Sequence, residues 1–258
     1  MKVAILCGGL GTRLREETEF RPKPMVEVGG KPILWHIMRH YAKYGHHEFV
    51  LLLGYRGDVI RQYFLNFPAM NSDVCIDLGS QRVTYLDPPN DESRWTVTLA
   101  ETGHDTLTAG RLLRGSRHFG GSTFLCTYGD GLSNVDLAKL LAFHREKGKL
   151  VTVTGVRPVS RFGELEVKDG VARRFREKPQ LEGDWVNGGY FVMEPGAMRY
   201  LKDDIALESE PLARLTAEGQ LAVYQHEGYW MPMDTYRDSL ALNQAWASGR
   251  PGWLEPPP

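Results

Sequence analysis

Apolar and polar residues follow one another along the chain in blocks that predict a repeated order of strand and helix. Short apolar runs at residues 3–7 and 48–54 predict buried strands. After each run, apolar side chains recur at helical spacing, over residues 32–44 and again over residues 58–65, and Gly45 suits the end of the first helix. This alternation implies a parallel sheet joined by right-handed crossovers.

The same pattern continues through the middle of the chain. Further apolar runs predict strands at residues 95–101, 122–128, 150–156 and 186–193. A helix is predicted to end at Lys147, and either Ser133 or Asn134 is expected to cap its start. The core of the predicted protein is therefore a layer of strands covered by helices.

Two stretches depart from this order. Residues 71–90 contain short β-like pieces and Pro-rich turns, and are interpreted as an insertion. The pair Asp169-Gly170 stands between two β-like runs and predicts a hairpin over residues 163–177. We therefore predict an α/β fold with a Rossmann-like, mostly parallel sheet flanked by helices, and a β-hairpin region added in the second half.

Composition narrows the class of protein. The 258 residues, 42% hydrophobic, are enough for one domain with a sizeable core, and a net charge of −1 gives no general attraction for nucleic acid or a membrane. The cysteines number three and are too far apart for a metal knuckle. No basic leader with a long apolar region starts the chain. A reducing cytoplasm is the expected compartment, and the tail after Pro251 is expected to pack across a neighbouring subunit.

The first candidate site follows the first predicted strand, where three glycines stand together: Gly8, Gly9 and Gly11. Open α/β sheets bind ligands at the carboxyl ends of their strands, and glycines let main-chain N–H groups approach phosphate oxygens. Arg13 and Lys23 could add positive charge. Leu14 stands where the third glycine of a dinucleotide fingerprint would be, and no Walker lysine follows, so a plain tight turn remains the alternative.

Two aspartates form the second candidate. Asp130 follows a predicted strand and lies between two glycines, where a carboxylate could hold Mg²⁺ beside a phosphate site. An aspartate in a turn is also common for local hydrogen-bonding reasons. Asp234 has a simpler explanation as the N-cap of the last helix, with Thr235 following it.

Five motifs carry a resemblance to a known family. They are the run Leu6-Cys-Gly-Gly-Leu-Gly-Thr-Arg with Arg21-Pro-Lys-Pro-Met, the Thr-rich block at residues 102–111, Gly-Asp at 129–130, Glu-Lys-Pro at 177–179 with Asn-Gly-Gly at 187–189, and Asp234. In this order the sequence resembles the sugar-1-phosphate nucleotidylyltransferases, and within them the glucose-1-phosphate cytidylyltransferases. The resemblance extends from Met1 to about Trp253.

The resemblance implies roles for particular residues. It makes Arg13 and Lys23 catalytic, and Asp130 and Asp234 the ligands of Mg²⁺. It implies nucleotide binding by Leu6, Gly8, Gly9, Gly11, Thr12, Gly110 and Arg111, and sugar-phosphate binding by Glu177, Lys178, Asn187 and Gly188. A single domain is expected, in which residues 1–150 form the nucleotide half, residues 151–240 the sugar-phosphate half, and residues 241–258 a C-terminal helix and tail.

The resemblance also implies the reaction. The substrates would be CTP and glucose 1-phosphate, the products CDP-glucose and pyrophosphate, and the enzyme a homo-oligomer, as a hexamer, dimer or trimer. A thymidylyl- or uridylyltransferase of the same fold and a non-catalytic sugar-nucleotide sensor are the alternatives, although a sensor would be expected to lose Arg13, Lys23 or an aspartate. An NAD-binding dehydrogenase is disfavoured because Gly54, and no acidic residue, ends the second apolar strand.

Overall fold

The computed structural model describes residues 1–87, 91–158, 164–176 and 185–256. Within these ranges the strands are β1 (Lys2–Cys7), β2 (Glu27–Val28), β3 (Lys31–Pro32), β4 (Glu48–Leu53), β5 (Val74–Asp77), β6 (Arg82–Tyr85), β7 (Thr96–Glu101), β8 (Phe124–Tyr128), β9 (Gly131–Ser133), β10 (Val151–Val156), β11 (Glu164–Lys168), β12 (Val171–Arg176), β13 (Val186–Met193), β14 (Leu221–His226) and β15 (Trp230–Pro232). The α-helices are α1 (Arg15–Thr18), α2 (Ile33–Lys43), α3 (Gly57–Leu65), α4 (Phe67–Met70), α5 (Thr108–Gly115), α6 (Leu137–Lys147), α7 (Glu210–Ala217) and α8 (Tyr236–Ala247). Short 3₁₀ turns are Thr12–Leu14, Lys23–Met25, Asp91–Arg94, Ser116–His118 and Pro195–Tyr200.

The main sheet has seven strands from the described ranges, in the order β14-β10-β13-β8-β1-β4-β7. Strand β1 is parallel to β4 and β8, β4 is parallel to β7, and β10 is parallel to β14. Strand β13 is antiparallel to both its neighbours, β10 and β8. The predicted fold class, a mostly parallel sheet flanked by helices, is confirmed.

Side chains along a strand point alternately to opposite faces of the sheet, and in this protein both faces are buried. In β1, Val3 and Ile5 belong to one core and Ala4 and Leu6 to the other. The first core is completed by apolar residues of α2, α3, α6 and α8, and the second by those of α5 and α7. The apolar runs of the sequence are continuous rather than alternating for this reason.

The strand directions bring three parts of the chain to one edge of the sheet. Because β1 and β8 are parallel and Leu6 pairs with Tyr128, the segments that follow these strands leave the sheet side by side. Strand β13 runs the opposite way, and Tyr190 pairs with Thr127 of β8. The start of β13 therefore lies beside the end of β8.

The hairpin predicted from Asp169-Gly170 is present: β11 and β12 form a two-stranded antiparallel sheet of their own. Asp169 and Gly170 have φ angles of 52° and 75°, the left-handed conformation that this dipeptide tolerates. Within residues 71–90, β5 and β6 form a second separate hairpin, in accord with the interpretation as an insertion.

One local prediction is wrong. Helix α6 is capped by Asp136, whose carboxylate accepts the Lys139 N–H at 2.9 Å, and neither Ser133 nor Asn134 serves as its cap. Ser133 is still in the extended strand β9, which pairs with β15. In the tail, Trp253 is 3% exposed and stacks on Trp246 of the same chain, and the expected contact of the tail with a neighbouring subunit stays a prediction. In the described ranges, no helix has the length and apolar character to cross a membrane.

Candidate active site

A cavity of about 340 Å³ opens at the carboxyl ends of β1 and β8. Its walls come from five segments of the chain: the glycine-rich turn, the turn that carries Lys23, the start of α5, the end of β8 and the end of β15. The lining residues are Leu6, Gly8, Gly9, Gly11, Thr12, Lys23, Pro24, Thr106, Leu107, Thr108, Arg111, Tyr128, Gly129, Asp130 and Asp234. The cavity thus stands where open α/β sheets bind ligands.

Lys23 joins the two aspartates of this cavity. Its Nζ atom lies 2.6 Å from Oδ2 of Asp130 and 2.7 Å from Oδ1 of Asp234. Burial lowers the pKa of Lys23, but the charges and hydrogen bonds of the two carboxylates outweigh it, and the pKa lies above its ordinary value. Lys23 is therefore a cation at neutral pH.

The N-cap alternative for Asp234 is excluded by the geometry of α8. Thr235 is the cap, because its hydroxyl accepts the Asp238 N–H at 3.3 Å, and the Asp238 carboxylate accepts the Thr235 N–H at 2.8 Å. This reciprocal pair is a capping box. The side chain of Asp234 is thereby left to face Lys23.

Arg111 holds the glycine-rich turn from behind. Its guanidinium donates at 2.7–3.0 Å to acceptors of three separate segments, namely the carbonyls of Gly8, Leu53, Gly103 and His104 and the hydroxyl of Thr102. Arg111 is 3% exposed, so these bonds replace water for a buried charge. In the wall of the cavity, Arg111 therefore stabilises the glycine-rich turn by these hydrogen bonds.

Two glycines leave room for this guanidinium. A Cβ atom on Gly8 would lie 2.1 Å from Cζ of Arg111, and one on Gly54 would lie 2.2 Å from Nη1. A Cβ on Gly9 would meet nothing within 4 Å. Of these three glycines, Gly8 and Gly54 are therefore required by the packing of Arg111.

Replacing Gly8 by alanine is expected to destabilise the protein by about 1–3 kcal/mol, because the added methyl group must displace Arg111 from a filled space. The matched control is Gly9→Ala, one residue along the same turn, for which we expect no loss of stability. Urea denaturation of both variants measures the difference. Equal midpoints for the two variants would contradict the packing argument.

A second cavity, of about 230 Å³, adjoins the first. It is lined by Thr127, Tyr128, Asp130, Gly131, Asn187, Gly188, Gly189, Tyr190, Trp230, Pro232 and Asp234. Three residues, Tyr128, Asp130 and Asp234, line both cavities. The Trp230 indole N–H donates to the Gly188 carbonyl at 2.8 Å and fixes the start of β13 against β15.

The structure brings most of the predicted site residues together. Those in the first cavity are Leu6, Gly8, Gly9, Gly11, Thr12, Lys23, Arg111, Asp130 and Asp234, and those in the second are Asn187 and Gly188. Gly110 is buried in α5 outside both linings, where a Cβ would lie 2.8 Å from Cγ2 of Thr106. The Arg13 backbone lies in the 3₁₀ turn Thr12–Leu14, but its side chain, Glu177 and Lys178 fall outside the described part of the protein.

The site also contains residues that the sequence predictions did not assign. Thr106 and Thr108 line the first cavity, Trp230 lines the second, and Tyr128 lines both. The two threonines belong to the Thr-rich block, in which the resemblance assigns only Gly110 and Arg111 to the site. Tyr128 is the last residue of β8 and stands two residues before Asp130, so its position at the carboxyl end of a predicted strand could have indicated that it lines the site.

The donor set suits a magnesium ion that arrives with a phosphate ligand. Asp130 and Asp234 each place an oxygen within 2.7 Å of the same ammonium nitrogen, so their oxygens converge on one cation position. No group of three or more His, Cys, Asp or Glu side chains converges anywhere in the described ranges. Mg²⁺ is commonly bound by one or two carboxylates together with waters and substrate phosphates, and this arrangement fits that pattern.

A glycine-rich turn, a lysine and two convergent carboxylates at one edge of a mostly parallel sheet define a nucleotide-binding α/β protein. A family model described as nucleotidyl transferase matches residues 2–247. The chain therefore belongs to the nucleotidyl transferase family.

Similar proteins span nearly the whole chain. A probable glucose-1-phosphate cytidylyltransferase of Bacillus subtilis is 47% identical over 98% of this chain and 99% of its own. The glucose-1-phosphate cytidylyltransferase of Salmonella typhimurium is 43% identical over 98% of both chains. Among solved structures, HddC from Yersinia pseudotuberculosis in complex with GMP-PN superposes with a TM-score of 0.68 at 20% identity, over 95% of this chain and 99% of that one. This last likeness shows a shared fold.

Proposed function

We propose that the protein transfers the CMP group of CTP to α-D-glucose 1-phosphate and releases CDP-glucose and pyrophosphate. The observation that carries the proposal is the pair of adjoining cavities that share Asp130 and Asp234. One cavity opens on the glycine-rich turn, as a nucleotide requires, and the other on Asn187 and Gly188. The choice of cytosine and of glucose follows the names of relatives that match over nearly full length.

In this reaction a phosphate oxygen of the sugar phosphate attacks the α-phosphorus of CTP in line, and pyrophosphate leaves from the opposite side. The protein is asked for positioning and charge neutralisation rather than for covalent chemistry. The glycine-rich turn would bind the β- and γ-phosphates through its N–H groups, together with Arg13. Lys23, already a cation within the first cavity, would neutralise charge that grows at the α-phosphate.

Asp130 and Asp234 would hold Mg²⁺, which would neutralise charge on the substrate phosphates when it is bound. The same two carboxylates accept hydrogen bonds from Lys23 in this structure. Lys178, with Glu177, would anchor the phosphate of the sugar, as the family resemblance implies. Asn187 and Gly188 would contact the hexose from the start of β13.

The experiment that tests the function is a comparison of nucleotides. Purified protein is incubated with glucose 1-phosphate, Mg²⁺ and, in turn, CTP, UTP, dTTP, ATP and GTP, and pyrophosphate release is measured. We expect release with CTP and formation of CDP-glucose in equal amount. Release with UTP or dTTP alone would identify a uridylyl- or thymidylyltransferase, and no release with any nucleotide would favour a sugar-nucleotide sensor.

A further inference from the structure

A line of hydrogen bonds connects the two cavities through a residue that lines neither. The Glu208 carboxylate accepts the Thr108 hydroxyl at 2.9 Å with one oxygen and the Tyr128 hydroxyl with the other. The Tyr128 oxygen in turn accepts the Asn187 side-chain amide at 3.1 Å. Glu208 therefore contacts one residue of the first cavity and one residue that the two cavities share.

The carboxylate sets the direction of this line. An ionised carboxylate can only accept hydrogen bonds, so the Tyr128 O–H must point at Glu208, and the tyrosine oxygen remains as an acceptor for the Asn187 amide. Burial raises the pKa of Tyr128, and the charge of Glu208 raises it further, so the hydroxyl keeps its proton. The other end of the Asn187 amide accepts the Gly189 N–H at 2.8 Å. The Gly189 N–H thus determines which end of the amide is the acceptor, and the Tyr128 oxygen engages one of the two N–H groups at the other end.

Packing fixes the tyrosine ring without help from Glu208. Gly189 has a φ of 81°, and a Cβ on it would lie 2.5 Å from Cδ2 of Tyr128, so the ring lies directly on the glycine backbone. The ring of Phe191 contacts Tyr128 edge-on, with 5.9 Å between the centroids. Glu208 therefore determines the direction of the hydroxyl, whereas the neighbours determine the place of the ring.

In the first cavity, the Thr108 hydroxyl donates its hydrogen bond to the same Glu208 carboxylate. The Thr108 oxygen also accepts the Leu207 N–H at 2.7 Å, so this hydroxyl is engaged on both sides by the segment that carries Glu208. The Thr108 hydroxyl is thus engaged both as a donor and as an acceptor within the wall of the first cavity. Asn187, in contrast, lines the second cavity and has a second amide N–H beyond the one given to Tyr128.

We propose that Glu208 is a positioning residue for the hexose: through Tyr128 it orients the Asn187 amide so that an N–H group is presented to a sugar hydroxyl. The inference rests on the proposed function, because it assigns the second cavity to the sugar phosphate. It predicts that loss of the carboxylate weakens the use of glucose 1-phosphate and leaves the use of CTP nearly unchanged.

The test is a double-variant cycle of Glu208→Gln and Tyr128→Phe. Glutamine keeps the shape of the side chain but can also donate, so it no longer imposes a direction on the tyrosine hydroxyl. We expect Glu208→Gln to raise KM for glucose 1-phosphate about fivefold, as for one hydrogen bond lost, with KM for CTP within about twofold of wild type. Because both residues act on one amide, the double variant should be no worse than either single one.

Glu210→Gln is the matched control, because Glu210 is an exposed neighbour whose carboxylate binds Lys202 at the surface. Additive effects in the double variant, or equal changes in both KM values, would overturn the proposal. A second readout needs no turnover: in substrate-free protein, the ¹⁵N side-chain amide resonance of Asn187 should move in Glu208→Gln and Tyr128→Phe but not in Glu210→Gln. An unmoved resonance overturns the positioning role, whereas a wild-type protein that makes no CDP-glucose overturns the proposed function, so the two failures are distinguishable.

Discussion

Replacing Lys23 by alanine is expected to lower kcat about 10²–10³-fold, the loss typical of one preorganised charged contact to a transition state. The structure gives the physical reason, since the Lys23 ammonium is the cation that lies between Asp130 and Asp234. Its removal leaves two carboxylates at the cavity without their shared partner. We therefore also expect the variant to be less stable than wild type in metal-free buffer.

The Lys23 effect is measured by steady-state release of pyrophosphate from CTP and glucose 1-phosphate, at saturating concentrations of both. Lys202→Ala serves as the control, because Lys202 is an exposed lysine whose partner is Glu210 on α7. Its kcat should equal that of wild type. Turnover by Lys23→Ala within a few-fold of wild type would remove Lys23 from the catalytic assignment.

Replacing Arg111 by alanine is expected to lower the free energy of unfolding by about 3–5 kcal/mol, because several hydrogen bonds of a buried charged donor are lost, each worth about 1.5–3 kcal/mol. The variant removes the hydrogen bonds of the guanidinium to acceptors of three segments; the Gly8 carbonyl then keeps its bond from the Tyr55 N–H, and the Leu53 carbonyl keeps those from Thr102. For a chain of this size, such a loss corresponds to a fall in melting temperature of about 10 °C.

Differential scanning calorimetry measures this change, with Arg117→Ala as control. Arg117 lies beyond the end of α5, is exposed, and bonds to the ring of His118. We expect its melting temperature to stay within about 1 °C of wild type, as for an ordinary surface substitution. If Arg111→Ala melted with the control but no longer bound nucleotide, Arg111 would act on the ligand rather than on the turn.

The fold and the family were predictable because their signals are local. Apolar runs and helical periodicity indicated the strands and helices, and the glycines after β1 indicated the edge of the sheet at which the cavity lies. The resemblance to nucleotidylyltransferases rested on motifs that stand close together in sequence, and membership of the nucleotidyl transferase family is confirmed. The roles given to individual site residues stay predictions.

The features that escaped prediction depend on contacts between distant residues. The cap of α6 was assigned to Ser133 or Asn134 because no local signal shows that Ser133 is still paired in a strand with residues near 230. Arg111 reaches carbonyls 58 and 103 residues away, and Tyr128 and Glu208 are 80 residues apart. Contacts of this kind can be identified only once the order and direction of the strands are known.

The antiparallel direction of β13 determines which residues lie at the edge of the sheet that carries the two cavities. Strand β13 has eight residues, which at about 3.3 Å per residue is a length of about 26 Å. Had it run with its neighbours, Asn187 and Gly188 would stand at the far edge of the sheet, out of reach of Asp130. In the proposed reaction the nucleotide would then have nothing opposite it, whereas the reversed strand would provide the place for the acceptor.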